Sequence, residues 1–170
     1  SAEFERPSVE DIELGYRMRA AGHRIRLLKD MQGTHLKQWT FSGMVKTDVY
    51  YRGAPWFALL KRYPDVPNDL NLNLGARLAT VLAGLMLLFI ALLIPGHPAS
   101  LAFWPWVLVP LGAMAGIIWI QRGFFALMYR CYGGGAALKA VPMQFVFFVC
   151  CGLAVPLGYL RYWQDKRAAG

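Results

Sequence analysis

Three long stretches of this 170-residue chain carry no charged side chain, and they limit its fold more than any other feature. They cover 78–94, 101–120 and 141–160, and are 17, 20 and 20 residues long. At about 1.5 Å of rise per residue, helices of this length reach roughly 26 to 30 Å, the thickness of a bilayer's hydrocarbon core. Each run therefore predicts a spanning helix. The alternative is a core hairpin of a large soluble protein, but nothing else in the chain is apolar enough to cover the full circumference of such helices. Pro95-Gly96-His97-Pro98-Ala99-Ser100, between the first two runs, is short and made of turn formers, so it predicts a tight hairpin of antiparallel helices. Trp104, Trp106, Trp119, Tyr159, Tyr162 and Trp163 lie towards the ends of the runs, where rings with a polar edge suit a membrane–water interface.

Charge divides the chain at about the same place. Residues 1–77 hold 12 Lys or Arg and 9 Asp or Glu, whereas 78–170 hold 6 and 1. Most of the net +8 thus comes from the apolar half, which argues for cations beside membrane spans and against a nucleic-acid partner. Ten Phe, eight Tyr and six Trp supply too much buriable surface for a disordered tail. Cys131, Cys150 and Cys151 have neither Cys-x-x-Cys spacing nor a nearby His cluster, so they read as small apolar residues rather than a zinc site or disulfide framework.

These boundaries divide the chain into a polar head over 1–62, a proline-broken linker over 63–77 and a membrane region over 78–170. Gln121-Arg122-Gly123 opens a stretch with Phe124, Phe125, Leu127, Met128 and Arg130, ending at Gly133-Gly134-Gly135, which predicts a short interfacial helix and a flexible turn. Arg122, Arg130 and Lys139 follow the second run, while the 95–100 turn has no Lys or Arg, which puts the head and 121–140 on the cytoplasmic side. A third span would leave Arg161, Lys166 and Arg167 outside, against that charge rule. A re-entrant path for 141–160, with Pro142 and Pro156, is the second reading.

In the head, Ser8 and Asp11 ahead of Ile12, Tyr16 and Ala20 predict a capped helix over 9–21 that stops at Gly22. His23-Arg24-Ile25-Arg26-Leu27-Leu28 alternates charged and apolar residues as a half-buried strand does. A second helix is expected over 40–52, with Phe41, Met44, Val45 and Val49 on one face. Tyr50, Tyr51, Trp56 and Phe57 beside Lys61 and Arg62 suit a membrane surface.

Glu10, Asp11 and Glu13 occupy one turn at the positive end of the first helix, and the residue pattern leaves two roles open. Asp11 closes a capping box and favours the helix dipole, an arrangement worth up to about 1 kcal/mol. Alternatively, one of these acids is a general base that deprotonates an acceptor hydroxyl.

The ordered blocks of 7–56 bear on that choice. They are Pro7-Ser8-Val9-Glu10-Asp11-Ile12-Glu13-Leu14-Gly15-Tyr16-Arg17, then Gly22-His23-Arg24-Ile25, then Thr34-His35-Leu36-Lys37-Gln38-Trp39-Thr40, and finally Asp48 with Arg52-Gly53-Ala54-Pro55-Trp56. This string resembles the C-terminal part of the catalytic domain in bacterial membrane-bound family 2 glycosyltransferases, inverting enzymes with a GT-A fold. Arg122-Gly123-Phe124 and Leu138-Lys139-Ala140-Val141-Pro142 are similar to the tail of membrane-bound members. The resemblance implies an α/β remnant of a GT-A domain followed by an α-helical transmembrane region in a bacterial inner membrane. It implies a nucleotide-sugar donor, a lipid-linked or glycan acceptor, and catalysis by Asp11 with Glu10 beside it. It also implies a divalent metal, Mg or Mn, whose ligands are mostly expected upstream of Ser1 with the nucleotide-binding strands and the Asp-x-Asp motif. The chain begins without Met and its first residues read as mid-domain, so it is expected to be a C-terminal piece that does not bind donor alone. There is no Gln-x-x-Arg-Trp motif, and Arg52 with Trp56 is the nearest element, so processive synthesis is not implied.

Four further residues keep two readings each. His35 touches metal or donor phosphate, or makes a structural hydrogen bond. Arg52 bridges a phosphate with its guanidinium fork, or pairs with Asp48 four residues earlier on a helix surface. Trp39 and Trp56 floor a sugar or lipid site, or anchor the chain at the membrane interface. A non-enzymatic reading of the whole chain also stands: a small membrane subunit whose basic surface binds anionic lipid or a partner protein.

Overall fold

The computed structural model describes residues 9–26, 28, 30–34, 36, 38–62, 72–93 and 104–168. They fall into two compact units, one drawn from Ser1–Asp65 with Leu153–Gly170, the other from Val66–Gly152. The described residues contain helices and irregular backbone but no strand, which corrects the expected α/β remnant. Residues 23–26 are irregular. Alternation alone does not make a strand, because its N–H and C=O groups need a neighbouring strand. The Ile25 side chain lies instead beside the first helix, its Cδ1 at 3.6 Å from where a Cβ on Gly15 would stand.

In the first unit, α1 covers Glu10–Ala20, with acids in its first turn and Arg17 and Arg19 in its last, the order that suits the helix dipole. It ends where the sequence expects. Gly22 takes φ +82°, its N–H donates to the Arg19 carbonyl at 2.9 Å, and the His23 N–H donates to Met18 at 3.0 Å, a Schellman closure. The second helical run is longer than the expected 40–52. Thr40 caps α2 (Phe41–Lys46) by accepting from the Gly43 N–H at 3.1 Å. The backbone then widens into a π-helical stretch, Thr47–Gly53, and resumes as α3 (Ala54–Arg62).

In the second unit, α4 (Leu74–Leu93) starts at Asn73, whose Oδ1 accepts from the Ala76 N–H at 2.8 Å. Its partner α5 (Trp104–Ile120) returns against it. Small side chains permit the close approach: Ala76, Ala79 and Ala83 are buried in one cluster with Ile117 and Phe148. A Cβ on Gly116 would stand 2.9 Å from Leu82, and one on Gly75 would stand 3.1 Å from Ile120. Outward-facing Leu78, Val81, Leu85, Leu88, Leu108 and Leu111 are exposed, a surface suited to lipid and not to water.

Helix α6 (Arg122–Tyr132) bends from α5 by 70°. Gly133, at φ +81°, separates it from α7, which runs unbroken over Gly134–Ala168. The flexible turn predicted at Gly133-Gly134-Gly135 is thus one residue wide. Pro142 and Pro156 leave α7 continuous, and at about 1.5 Å per residue its 35 residues extend for roughly 52 Å. Two helices, α4 and α7, are long and apolar enough to cross a membrane, and the bent α5–α6 pair has the composition of a broken span or a re-entrant loop.

Helix α7 belongs to both units. Its part up to Gly152 joins the second, where Phe148 enters the core, and its part from Leu153 onward joins the polar head. There, a Cβ on Gly158 would stand 2.6 Å from the Ala54 carbonyl oxygen and from Phe57 Cβ, and one on Gly53 would stand 2.5 Å from Ala154 Cβ. Lys61 Nζ lies 5.6 Å from the Tyr159 ring centre and 5.7 Å from that of Phe57.

Candidate functional site

The first turn of α1 sorts its three acids by what holds them. Glu13 pairs with Arg17 one turn later at 3.3 Å, and its side chain is only 12% exposed. Asp11 is exposed, and its Oδ1 accepts from the adjacent Ile12 N–H at 2.8 Å. Glu10 is also exposed. Among the described residues the expected capping box is not seen. Val9 is the N-cap and makes no side-chain cap hydrogen bond, which places Asp11 at the second helical position, and Ser8 lies outside the described residues. One residue of offset suffices, because the box needs its acid at the third helical position to reach back to the cap.

A side-chain bond joins helix α1 to α3: Trp56 Nε1 donates to the Tyr16 hydroxyl at 3.3 Å. The indole edge of Trp56, a candidate sugar or lipid floor, is therefore engaged within the head. Trp39 is 48% exposed just ahead of the Thr40 cap. His35 lies outside the described residues.

Asp48 and Arg52 both sit on the π-helical stretch, with Asp48 Oδ1 3.7 Å from Arg52 Nη1. The Asp48 side chain is 13% exposed and that of Arg52 is 47% exposed, so the acid is sheltered and the guanidinium reaches solvent. Burial pushes the Asp48 carboxyl above the usual carboxylate range, and the Arg52 charge opposes that shift without cancelling it. The widened turn also explains Gly53, since a Cβ there would collide with the Asp48 carbonyl oxygen as well as crowd Ala154. π-Helical turns often mark functional positions, because the extra residue re-aims the side chains around it.

The structure thus joins Asp48 to Arg52 and Trp56 to Tyr16. Tyr16 and Gly53 were visible within the family-like string, but their contacts were not. Gly158 carried no signal, since one glycine in an apolar run does not announce a close approach. Among the described residues no group of three or more His, Cys, Asp or Glu side chains is placed to hold a metal ion. The ligands of the implied Mg or Mn were expected mostly upstream of Ser1, and His35, the one candidate here, lies outside the described residues. Comparison of the chain with protein-family models, curated proteins and solved structures finds no match.

Proposed function

We propose that this chain is part of a bacterial membrane-bound inverting glycosyltransferase in which Asp11 is the general base. The observation that supports the reading is the division of labour in the first turn of α1. Glu13 is shielded and neutralised by Arg17, while Asp11, at the position the family-like string gives the base, is exposed and holds only a local contact. The acceptor hydroxyl gives its proton to the Asp11 carboxylate as its oxygen attacks the anomeric carbon. The bond from that carbon to the nucleoside diphosphate breaks, its electron pair leaves with the diphosphate, and the sugar is inverted. Arg52, with its guanidinium in solvent, supplies a fork for phosphate on the donor or on a lipid-linked acceptor.

In this reading the chemistry takes place at a bilayer surface, where a lipid-linked sugar or polyprenyl phosphate is met. The head is cytoplasmic in this reading, because nucleotide sugars are cytoplasmic and because Arg122, Arg130 and Lys139 follow the second apolar run. The test is Asp11→Asn in the complete enzyme. Asn keeps the shape but takes no proton at neutral pH, so turnover should fall by about 10²- to 10⁴-fold. Glu13→Gln removes the same charge from the same turn and should leave turnover near the parent's. Turnover of Asp11→Asn within about threefold of the parent, far short of a lost base, would end the proposal.

A further inference from the structure

Helix α6 has no buried residue. At about 100° per residue, Phe124, Leu127, Met128 and Cys131 share one face, while Arg122, Ala126 and Arg130 share the other. Phe124 is 37% exposed and Leu127 58% exposed, so among the described residues this apolar face is largely open. In water such a face is a liability. The 70° bend from α5 sets this helix across the direction of its apolar neighbour, as a helix lying along a bilayer surface would be.

Among the described residues of this unit every charged side chain is a cation. Arg77, Arg122, Arg130 and Lys139 are exposed, and the described residues from 72 to 152 include no Asp or Glu. The first turn of α4 meets the last turn of α5 where Gly75 faces Ile120, so Arg77 and Arg122 belong to the same end of the hairpin. Both guanidiniums are held in place by backbone. Arg77 Nε donates to the Leu72 carbonyl at 2.7 Å, and Arg122 Nη1 donates to the Trp119 carbonyl at 3.1 Å. Arg122 also lies over the Trp119 ring, 5.1 Å from its centre. A guanidinium has five N–H donors, and these contacts use one from each arginine.

We infer that α6 and the adjoining end of the α4–α5 hairpin form a binding surface for anionic phospholipid headgroups. Arg77, Arg122 and Arg130 face the phosphates, and Phe124, Leu127 and Cys131 enter the acyl layer. Charge complementarity selects the occupant: an exposed apolar face whose charged neighbours, among the described residues of the unit, are all cations matches an anionic leaflet and not a zwitterionic one. This inference does not depend on the transferase reading.

The experiment uses the whole chain, purified in mixed micelles containing equal phosphatidylglycerol and phosphatidylcholine, with native mass spectrometry counting the lipids retained. The parent should keep phosphatidylglycerol in preference. Arg122→Gln and Arg130→Gln should each reduce that preference about fivefold, the effect expected of one cation near an anionic surface. Arg122→Lys should keep most of it. Because Arg122 also orders Trp119, Arg130→Gln carries the test should Arg122→Gln fail to fold. In phosphatidylglycerol nanodiscs a water-soluble maleimide should spare Cys131 in the parent and reach it in the Arg122→Gln, Arg130→Gln double variant. Equal retention of the two lipids, or a preference unchanged in Arg130→Gln, overturns the inference. So does efficient bismaleimide cross-linking of Cys131 between copies, which would assign the apolar face to a second chain.

Discussion

Gly158 and Ala54 meet backbone to backbone: a Cβ on Gly158 would stand 2.6 Å from the Ala54 carbonyl oxygen. Ala154, one turn earlier on α7, sets its Cβ 2.5 Å from where a Cβ on Gly53 would stand. Small residues at these positions let α3 and the tail of α7 touch along their main chains, the packing favoured where helices associate in lipid. Gly158→Val should therefore destabilise the head by about 1–3 kcal/mol through overpacking. Gly84→Ala is the control, since nothing lies within 4 Å of a Cβ there, and it should be neutral or raise helix stability by up to about 1 kcal/mol. Unfolding in detergent followed by circular dichroism compares them, and a Gly158→Val protein as stable as the parent would show the contact to be loose.

The same contact has a topological consequence. The residues of α7 from Leu153 onward are packed with the polar head, with Lys61 over Tyr159 near the first basic residue of the tail. A cysteine added after Gly170 should react with an impermeant reagent from the same side of the membrane as one placed in the head. Arg161, Lys166 and Arg167 would then obey the charge rule, and the chain would cross an even number of times. Labelling from opposite sides would instead support three crossings.

Asp48 gives a pH prediction whose sign follows from burial. Its carboxyl binds a proton more tightly in the folded head than in the unfolded chain. Its contribution to stability is therefore fully present below the ordinary Asp value and is lost as pH rises through the folded value. Asp48→Asn should flatten this part of the stability–pH curve. Arg52→Gln should steepen it, because the opposing cation is gone. Both curves are read by chemical denaturation across the acidic range, and a parent curve rising with pH solely through Asp48 would contradict the assigned shift.

Arg52 supplies a kinetic prediction in the complete enzyme. Arg52→Ala should lower turnover without releasing the protein from the membrane, because anchoring rests on apolar helices that Arg52 does not form. Arg52→Lys should recover only part of the loss, since an ammonium cannot reproduce a two-pronged contact. Unchanged turnover in Arg52→Ala would leave the Asp48 pair as its whole role, a surface interaction of about 0.3–0.5 kcal/mol.

The bond between Trp56 and Tyr16 can be weighed by a double-mutant cycle. Tyr16→Phe should cost about 0.5–1.5 kcal/mol. Trp56→Phe should cost more, through lost packing, and the coupling between the two changes should be of the same order as the Tyr16→Phe loss. Additive effects would mean that α1 and α3 are held together by other contacts.

Sequence alone determined the features that depend on neighbours a few residues apart. The described residues of the apolar runs lie in α4, α5 and α7, the first helix stops at Gly22, and the two faces of α6 follow from its residue order, because periodicity and φ preference act locally. The family-like string singled out Asp11, but the adjacent pattern misplaced its cap by one residue. Tertiary structure decided what local pattern leaves ambiguous. Ile25 lies against α1 and not in a strand, Glu13 is shielded while Asp11 is exposed, and the tail of α7 joins the head. Each of these depends on which distant surface meets the residue. An alternating segment has an apolar face whether or not another strand pairs with it, and a glycine in an apolar helix is silent until a second backbone lies against it.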